Sequence, residues 1–161
     1  MKLKNMFSVL TIISISWMAS NNAFADTLKQ KEKIIEGSAV CEYFLLQDFN
    51  HAIEQYKKNN NPSTLKGAFG LFMLTTTWNL LALDEGANQN DIDQALNTLQ
   101  KDKLPVDSKD TQGCAKEAGS AIKSMPEAQA KRYLERSAAR FRDFARKNHF
   151  EIPAGFFDEN H

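Results

Sequence analysis

Two cysteines are the residues of this 161-residue chain whose chemistry is most readily inferred. In an exported protein, Cys41 and Cys114 are expected to form one disulfide bond. No Cys-x-x-Cys pair occurs, so the lowered thiol pKa of redox-active motifs is not expected. The alternative is two buried thiols with no bond between them. The disulfide requires that the two helices carrying the cysteines be neighbours in the fold.

The other residues that could bind a metal or perform catalysis lack the spacings that such chemistry requires. His51, His149 and His161 form no i, i+4 pair, and no Cys-x-x-Cys-His haem attachment sequence occurs. The sequence also lacks Gly-x-Ser-x-Gly, His-Glu-x-x-His and a glycine-rich phosphate loop. Asp84 and Glu85 are adjacent, and adjacent side chains on a helix point apart, which disfavours paired acid–base catalysis. The sequence therefore predicts no metal, no cofactor and no enzymatic activity.

The strongest charge signal is a basic helix predicted over residues 127–149. Arg132, Arg136 and Arg140 recur at every fourth position and form one stripe beside the buried face. One interpretation is that this helix packs against residues 42–110, where acidic side chains outnumber basic ones. The other is that the stripe docks on an anionic surface, either an acidic protein or a layer of phospholipid headgroups. Arginine suits carboxylate and phosphate because its guanidinium can bind either one through two parallel hydrogen bonds.

Residues 67–83 are the most apolar stretch after the N-terminal segment, and they contain Trp78. A helix that is apolar nearly all round is usually contacted by several neighbours. The predicted inner face is Leu65, Ala68, Phe69, Phe72, Thr76, Leu80 and Leu83, widened by Leu71, Leu74, Trp78 and Leu81. We therefore expect a central helix, with a mostly buried Trp78, around which the other helices pack.

Four further helices make the predicted fold an all-α, single-domain bundle of about five helices. Their predicted ranges are 28–58, 91–100, 113–123 and 127–149, with a polar loop at 101–112 and an apolar tail at 150–157 that packs back on the bundle. Two alternatives are predicted for the first range: one helix, or a pair of helices divided at Gly37 and Ser38.

The predicted helix ends rest on capping residues. Ser63 is expected to cap the central helix and Asn90 the third helix. Ser124 is expected to cap the fifth helix, where Glu127 would complete a capping box. Gly86 suits a left-handed position after the central helix.

The first 25 residues have the pattern of a cleaved export signal. Lys2 and Lys4 precede a short apolar segment, and cleavage is expected between Ala25 and Asp26. The apolar segment is shorter than the roughly 20 residues that span a bilayer. Residues 26–161 then form one domain with 18 basic and 20 acidic side chains, and this balance disfavours a nucleic-acid binder. The expected location is the periplasm or, with full secretion, the extracellular medium.

The segment Cys41-Glu-Tyr-Phe-Leu45 resembles the Cys-Glu-x-Phe-Leu opening of the HdeA-type periplasmic acid chaperones. Those proteins are also small, helical and exported, and they carry one disulfide. The plan of leader, helical domain and distant cysteines is similar to that of immunity proteins that guard bacteria against injected cell-wall amidases. The first resemblance covers five residues and the second is one of plan, so neither assigns a site residue.

These observations predict an exported, non-enzymatic binding protein of the inhibitor, immunity or chaperone kind. Its expected partner is another protein with an acidic surface, which Arg132, Arg136 and Arg140 would contact. The alternative is a peripheral membrane or lipid-binding protein that uses the basic helix over 127–149. Enzymatic activity ranks third.

Overall fold

The computed structural model of the chain describes residues 23–157, with side chains from Lys29 onward. Five helices account for most of this range and no strand occurs within it. They are α1 (Ala23–Asn59), α2 (Pro62–Asp84), α3 (Gln89–Asp102), α4 (Ser108–Ser124) and α5 (Glu127–Lys147). The predicted all-α bundle is confirmed. The predicted export signal lies almost entirely outside the described residues, since only its last three residues enter the first turn of α1.

Helix α1 runs without interruption through Gly37 and Ser38, so of the two predicted alternatives the single helix is confirmed. A glycine inside a helix costs about 1 kcal/mol relative to alanine. Packing of α1 against α2, α3 and α4 offsets that cost. Ser38 is buried, and its hydroxyl donates to the backbone carbonyl of Trp78 at 3.0 Å, which ties this part of α1 to α2.

Helix α2 is the central helix that its apolar sequence predicts. It contacts α1, α4 and α5. Leu65 and Leu80 are fully buried and Trp78 is 6 % exposed, as predicted, whereas Phe72 is half-buried. The buried run Thr75–Thr77 is polar, but the hydroxyls of Thr75 and Thr77 donate to backbone carbonyls one turn earlier, each at 2.9 Å. Their hydrogen-bonding capacity is thereby satisfied inside the helix itself.

The three predicted N-caps are each displaced by two residues. Asn61 caps α2, and the side chain of Asn61 accepts from the backbone N–H of Ser63, the predicted cap. Asn88 rather than Asn90 caps α3. Proline at the first position of α2 explains the first shift, because the fixed backbone angle of Pro62 begins the helix before Ser63. Gly86 has a φ of +89°, as its predicted position requires.

The start of α4 differs most from the sequence prediction. Asp107 caps this helix, so α4 begins at Ser108 and the predicted loop at 101–112 shrinks to a short connection. The capping box predicted before α5 does not form, because the hydroxyl of Ser124 donates to the carbonyl of Ala121 within α4. Helix α5 instead begins after Pro126 with no side-chain cap.

The disulfide joins Cys41 of α1 to Cys114 of α4, with the two Cα atoms 5.3 Å apart. Both cysteines are buried, and the indole N–H of Trp78 donates to the carbonyl of Cys114 at 3.1 Å. The bridge and this hydrogen bond together connect α1, α2 and α4 at one end of the core.

Aromatic rings fill the other end of the core, where α1, α2, α5 and the tail meet. We call this set the phenylalanine cluster; its members are Phe49, Phe69, Phe72, Phe141, Phe144, Phe150, Phe156 and Phe157. Phe156 is only 7 % exposed, and the hydroxyl of Tyr56 donates to the carbonyl of Glu151 at 3.1 Å. The tail therefore lies against α1 and α5 and covers the end of the cluster.

None of the helices in the described range has the length and apolar character needed to cross a membrane.

Candidate functional site: the arginine face of α5

The three arginines singled out from the sequence, Arg132, Arg136 and Arg140, define the arginine face of α5. All three residues are exposed to solvent. Within the described residues, Arg132 and Arg136 make no hydrogen bond or ion pair. Arg140 differs, because its Nη1 donates to the side-chain oxygen of Asn79 on α2 at 2.9 Å. The structure thus divides the stripe into two outward arginines and one that reaches inward.

Arg140 belongs to a polar network that crosses three helices. Glu42 of α1 is 6 % exposed, and its Oε1 lies 3.0 Å from the hydroxyl oxygen of Ser38, whose one hydrogen is shared between Glu42 and the carbonyl of Trp78. The side chain of Asn79 also faces this carboxyl and lowers its pKa, and the Oδ1 atom of Asn79 accepts from Arg140. We call Ser38, Glu42, Asn79 and Arg140 the polar network. It connects the outer surface of α5 to a carboxyl inside the bundle.

Burial raises the pKa of Glu42 to about 7. The hydrogen bonds from Ser38 and Asn79 and the positive charge of Arg140 lower this pKa, while the negative charge of Asp93 on α3 raises it further. Desolvation raises the pKa by more than the favourable contacts lower it, because the carboxyl is almost wholly removed from water. Glu42 therefore changes its charge near neutral pH, which ordinary glutamates do not do.

Glu42 is the functional candidate that the sequence analysis does not identify. It lies inside the Cys-Glu-Tyr-Phe-Leu segment and would be taken for a surface residue beside a cysteine. Ser38, Glu42, Leu45 and Phe49 are spaced by four, three and four residues and so share one face of α1. This spacing is the feature of the sequence that could have identified Glu42, because it places the carboxylate on the same face of α1 as the core residues Leu45 and Phe49.

A second polar contact attaches the first half of α5 to the end of α2. The hydroxyl of Tyr133 donates to Oδ2 of Asp84 at 2.5 Å, and Nε2 of Gln129 donates to the same oxygen at 3.3 Å. Burial raises the pKa of Tyr133 to about 12, and the neighbouring Asp84 adds to that rise. The tyrosine therefore stays protonated at physiological pH and remains a donor to the carboxylate.

Two open clefts lie beside α5. The first, of about 460 Å³, lies between the end of α5 and the tail, where the guanidinium carbon of Arg142 is 4.4 Å from the ring centre of Phe157. The second, of about 370 Å³, is lined by residues of α2, α4 and α5 that include Met73, Ile122 and Leu134. Neither cleft contains Glu42 or the arginine face.

The histidines, for which the sequence predicts no metal, lie at the surface where the structure describes them. His51 and His149 are both exposed, and His161 lies outside the described residues. Among the described residues, no three His, Cys, Asp or Glu side chains form a group that could hold a metal ion.

Comparison of the chain with protein families, curated proteins and solved structures finds no match. Proposals about function therefore rest on the geometry of this site.

Replacing Glu42 with glutamine tests the buried carboxyl. Because the folded protein holds this proton more tightly than the unfolded chain does, the stabilising contribution of Glu42 is fully present below pH 4.5 and is lost as the pH rises through about 7. We expect Glu42→Gln to raise the free energy of unfolding at pH 8 by about 2–3 kcal/mol. The gain should fall below about 1 kcal/mol at pH 5. Urea denaturation of both proteins across this pH range measures the difference.

The matched control is Glu54→Gln, which removes an exposed carboxylate from the same helix. Glu54 pairs with Lys57 at 3.3 Å on the surface, and such pairs contribute little to stability. We expect this variant to follow the wild-type pH dependence. If the free energy of unfolding of Glu42→Gln also follows the wild-type pH dependence, then Glu42 is ionised throughout the range.

Proposed function

We propose that this chain is an exported, non-enzymatic binding protein of the inhibitor, immunity or chaperone kind, which docks on an acidic protein surface through the arginine face of α5. The main support for the proposal comes from the exposure of Arg132 and Arg136 and from their lack of acidic partners in the described part of the chain. Both are exposed and lack acidic partners among the described residues, in a fold where Arg140 and Arg146 do find polar partners. Unpaired guanidinium groups one helical turn apart are suited to bidentate contact with carboxylates.

The way α5 is held supports the same proposal. Tyr133 and Arg140 fix one side of the helix through polar contacts, and Phe141 is fully buried in the phenylalanine cluster. Because α5 is already held in place, little conformational entropy of the helix should be lost when its outer side chains bind a partner. The disulfide and the predicted export signal support a location outside the cytoplasm.

The membrane alternative requires a different geometry. An amphipathic helix binds lipid by placing its apolar face into the headgroup boundary. The apolar face of α5 carries Phe141 and Ala145, which are 0 % and 3 % exposed because they pack inside the bundle. This burial favours a protein partner over a lipid surface, and charge alone would have to hold the chain on a membrane.

The double substitution Arg132→Gln with Arg136→Gln tests the docking face. We expect partner capture from a periplasmic extract to weaken on the order of 10–100-fold, since two charge-assisted contacts are lost. The melting temperature should stay nearly unchanged, because neither side chain makes a hydrogen bond or an ion pair within the described fold. Wild-type capture should also fade between low and moderate salt as exposed charges are screened.

The matched control is Lys109→Gln with Lys116→Gln, which removes the same charge from exposed positions on α4. Equal loss of capture by both double variants would show that net charge, not the arginine face, attracts the partner. Sedimentation of the wild-type chain with anionic liposomes, lost in the arginine variant, would instead favour the lipid-binding alternative.

A further inference from the structure

We propose that the cleft between the end of α5 and the tail binds a single-chain fatty acid, whose carboxylate contacts Arg142 and whose alkyl chain covers the apolar wall of the tail. We call this site the tail cleft; it is bounded by Arg142 and Arg146 of α5 and by the tail over residues 150–157. Its volume of about 460 Å³ lies within the roughly 300–1,000 Å³ typical of small-molecule sites. The proposal goes beyond protein docking, because the tail cleft does not include the arginine face.

The tail supplies an apolar wall that the bundle covers only in part. Phe150, Ile152 and Phe157 line the cleft and are half-buried, and Pro153 beside them is exposed. A ligand in the cleft would remove part of this apolar surface from water. Such burial favours binding roughly in proportion to the area that is covered.

The shape of the wall favours a flexible chain over a flat ring. The rings of Phe156 and Phe157 have their centres 5.0 Å apart and their planes at 88° to each other. They therefore form a corner, in which a rigid aromatic ligand could stack on one ring but not on both. An alkyl chain can bend to contact both rings, because each of its carbon–carbon bonds rotates among staggered conformations.

Arg142 supplies the group that would bind the carboxylate. Its guanidinium carbon lies over the ring of Phe157, 4.4 Å from the ring centre. This contact with the ring face uses none of the five N–H donors of the guanidinium. Arg142 is exposed, and within the part of the chain that the structure describes it makes no hydrogen bond or ion pair. The side chain is thus placed beside the apolar wall with its donors available for a carboxylate.

The charge at the rim of the tail cleft matches a carboxylate better than a phosphate. Nη2 of Arg146 donates to Oδ1 of Asp143 at 2.7 Å, so these two charges offset each other. Arg142 then contributes one positive charge, which equals the single negative charge of a fatty acid. A phosphate monoester carries a charge of about −1.5 to −2 near neutral pH, and it would bring an excess of negative charge to the rim.

Isothermal titration calorimetry with hexanoate, octanoate and decanoate, each below its micelle concentration, tests the apolar wall. We expect the affinity of the full-length chain to rise about twofold to fourfold for each added CH2 group, since each covers more apolar surface. Octanol has the same chain as octanoate without the charge. It should bind on the order of tenfold more weakly, because it lacks the charge-assisted contact with Arg142.

The substitution Arg142→Gln tests the carboxylate contact. It should weaken octanoate binding by the same factor, on the order of tenfold, and leave octanol binding at the wild-type level. A variant whose tail had merely come loose would lose affinity for both ligands. Arg142→Lys keeps the charge but cannot bind a carboxylate through two parallel hydrogen bonds, so its octanoate affinity should be intermediate. The double variant Arg132→Gln with Arg136→Gln is the control, and it should bind octanoate as the wild type does.

NMR of the wild-type chain shows where the ligand binds. Chemical-shift changes on adding octanoate should be concentrated at Phe150, Gly155 and Phe157. The proposal is overturned if decanoate does not bind, if octanol binds as tightly as octanoate, or if the shift changes are spread over the surface or centred on the arginine face. These wild-type results are decisive even if Arg142→Gln does not fold.

Discussion

Reduction of the Cys41–Cys114 bridge is expected to lower the melting temperature of the protein by roughly 10–20 °C. The bridge closes a loop of 73 residues, and the loss of chain entropy in the unfolded state corresponds to about 4 kcal/mol of stability. That is a large part of the 5–15 kcal/mol typical of a whole domain. Thermal denaturation with and without reductant, followed by the fluorescence of Trp78, measures the change.

The control is the variant Cys41→Ala with Cys114→Ala, whose melting temperature should match the reduced wild type and should not respond to reductant. A reductant effect on this variant would mean that the agent acts elsewhere. Mass analysis of unreduced protein should show no thiol that can be alkylated. A free Cys41 and Cys114 in protein expressed in an oxidising compartment would contradict the bridge directly.

Replacing Phe141 with alanine is expected to cost about 3–5 kcal/mol of unfolding free energy. Phe141 is fully buried, and its ring packs against six other phenylalanines. Truncation leaves a cavity where α1, α2, α5 and the tail meet, and the rings around it cannot all move in to fill it. Leu80→Ala, at a fully buried position of the central helix, should cost about 2–5 kcal/mol. Urea denaturation gives both values.

Two further substitutions separate packing from general hydrophobicity. Phe141→Leu keeps an apolar side chain but loses the ring contacts, so it should cost less than Phe141→Ala. Val106→Ala changes an apolar residue that is 38 % exposed and should stay within about 0.5 kcal/mol of wild type. A cost that small for both Phe141→Ala and Leu80→Ala would contradict the packing described for the core.

Loss of the bridge and truncation of Phe141 are expected to affect the proposed docking surface, the arginine face of α5, in different ways. The bridge joins α1 to α4 and does not include α5, so its reduction should lower stability more than it alters the arginine face. Phe141 lies on α5 itself, one residue from Arg140. Its truncation should therefore loosen the helix that presents the arginines, and partner capture should weaken even in protein that remains folded.

The amino-acid sequence alone determined the fold class, the order of the five helices and the identity of the central one. Apolar periodicity is a local property, and the near-continuous apolar run over α2 can be satisfied only by burial. The sequence contains two cysteines, so Cys41 and Cys114 could form only one intramolecular pair. Helix ends were less predictable, because several Ser, Asn and Asp residues near each end compete as caps, and packing decides which is used.

The tertiary structure alone decided the properties of Glu42 and Arg140. From the sequence, Glu42 is one acidic residue beside a cysteine, and Arg140 is one member of an even arginine stripe. Which of these charges is desolvated depends on how α1, α2, α3 and α5 pack, and that packing is set by contacts distant in the sequence. The spacing along α1 could place Glu42 on the inward face of the helix. A pKa reports the surroundings of a side chain more than its identity, so neither the raised pKa of Glu42 nor the inward contact of Arg140 could be read from residue types and spacing.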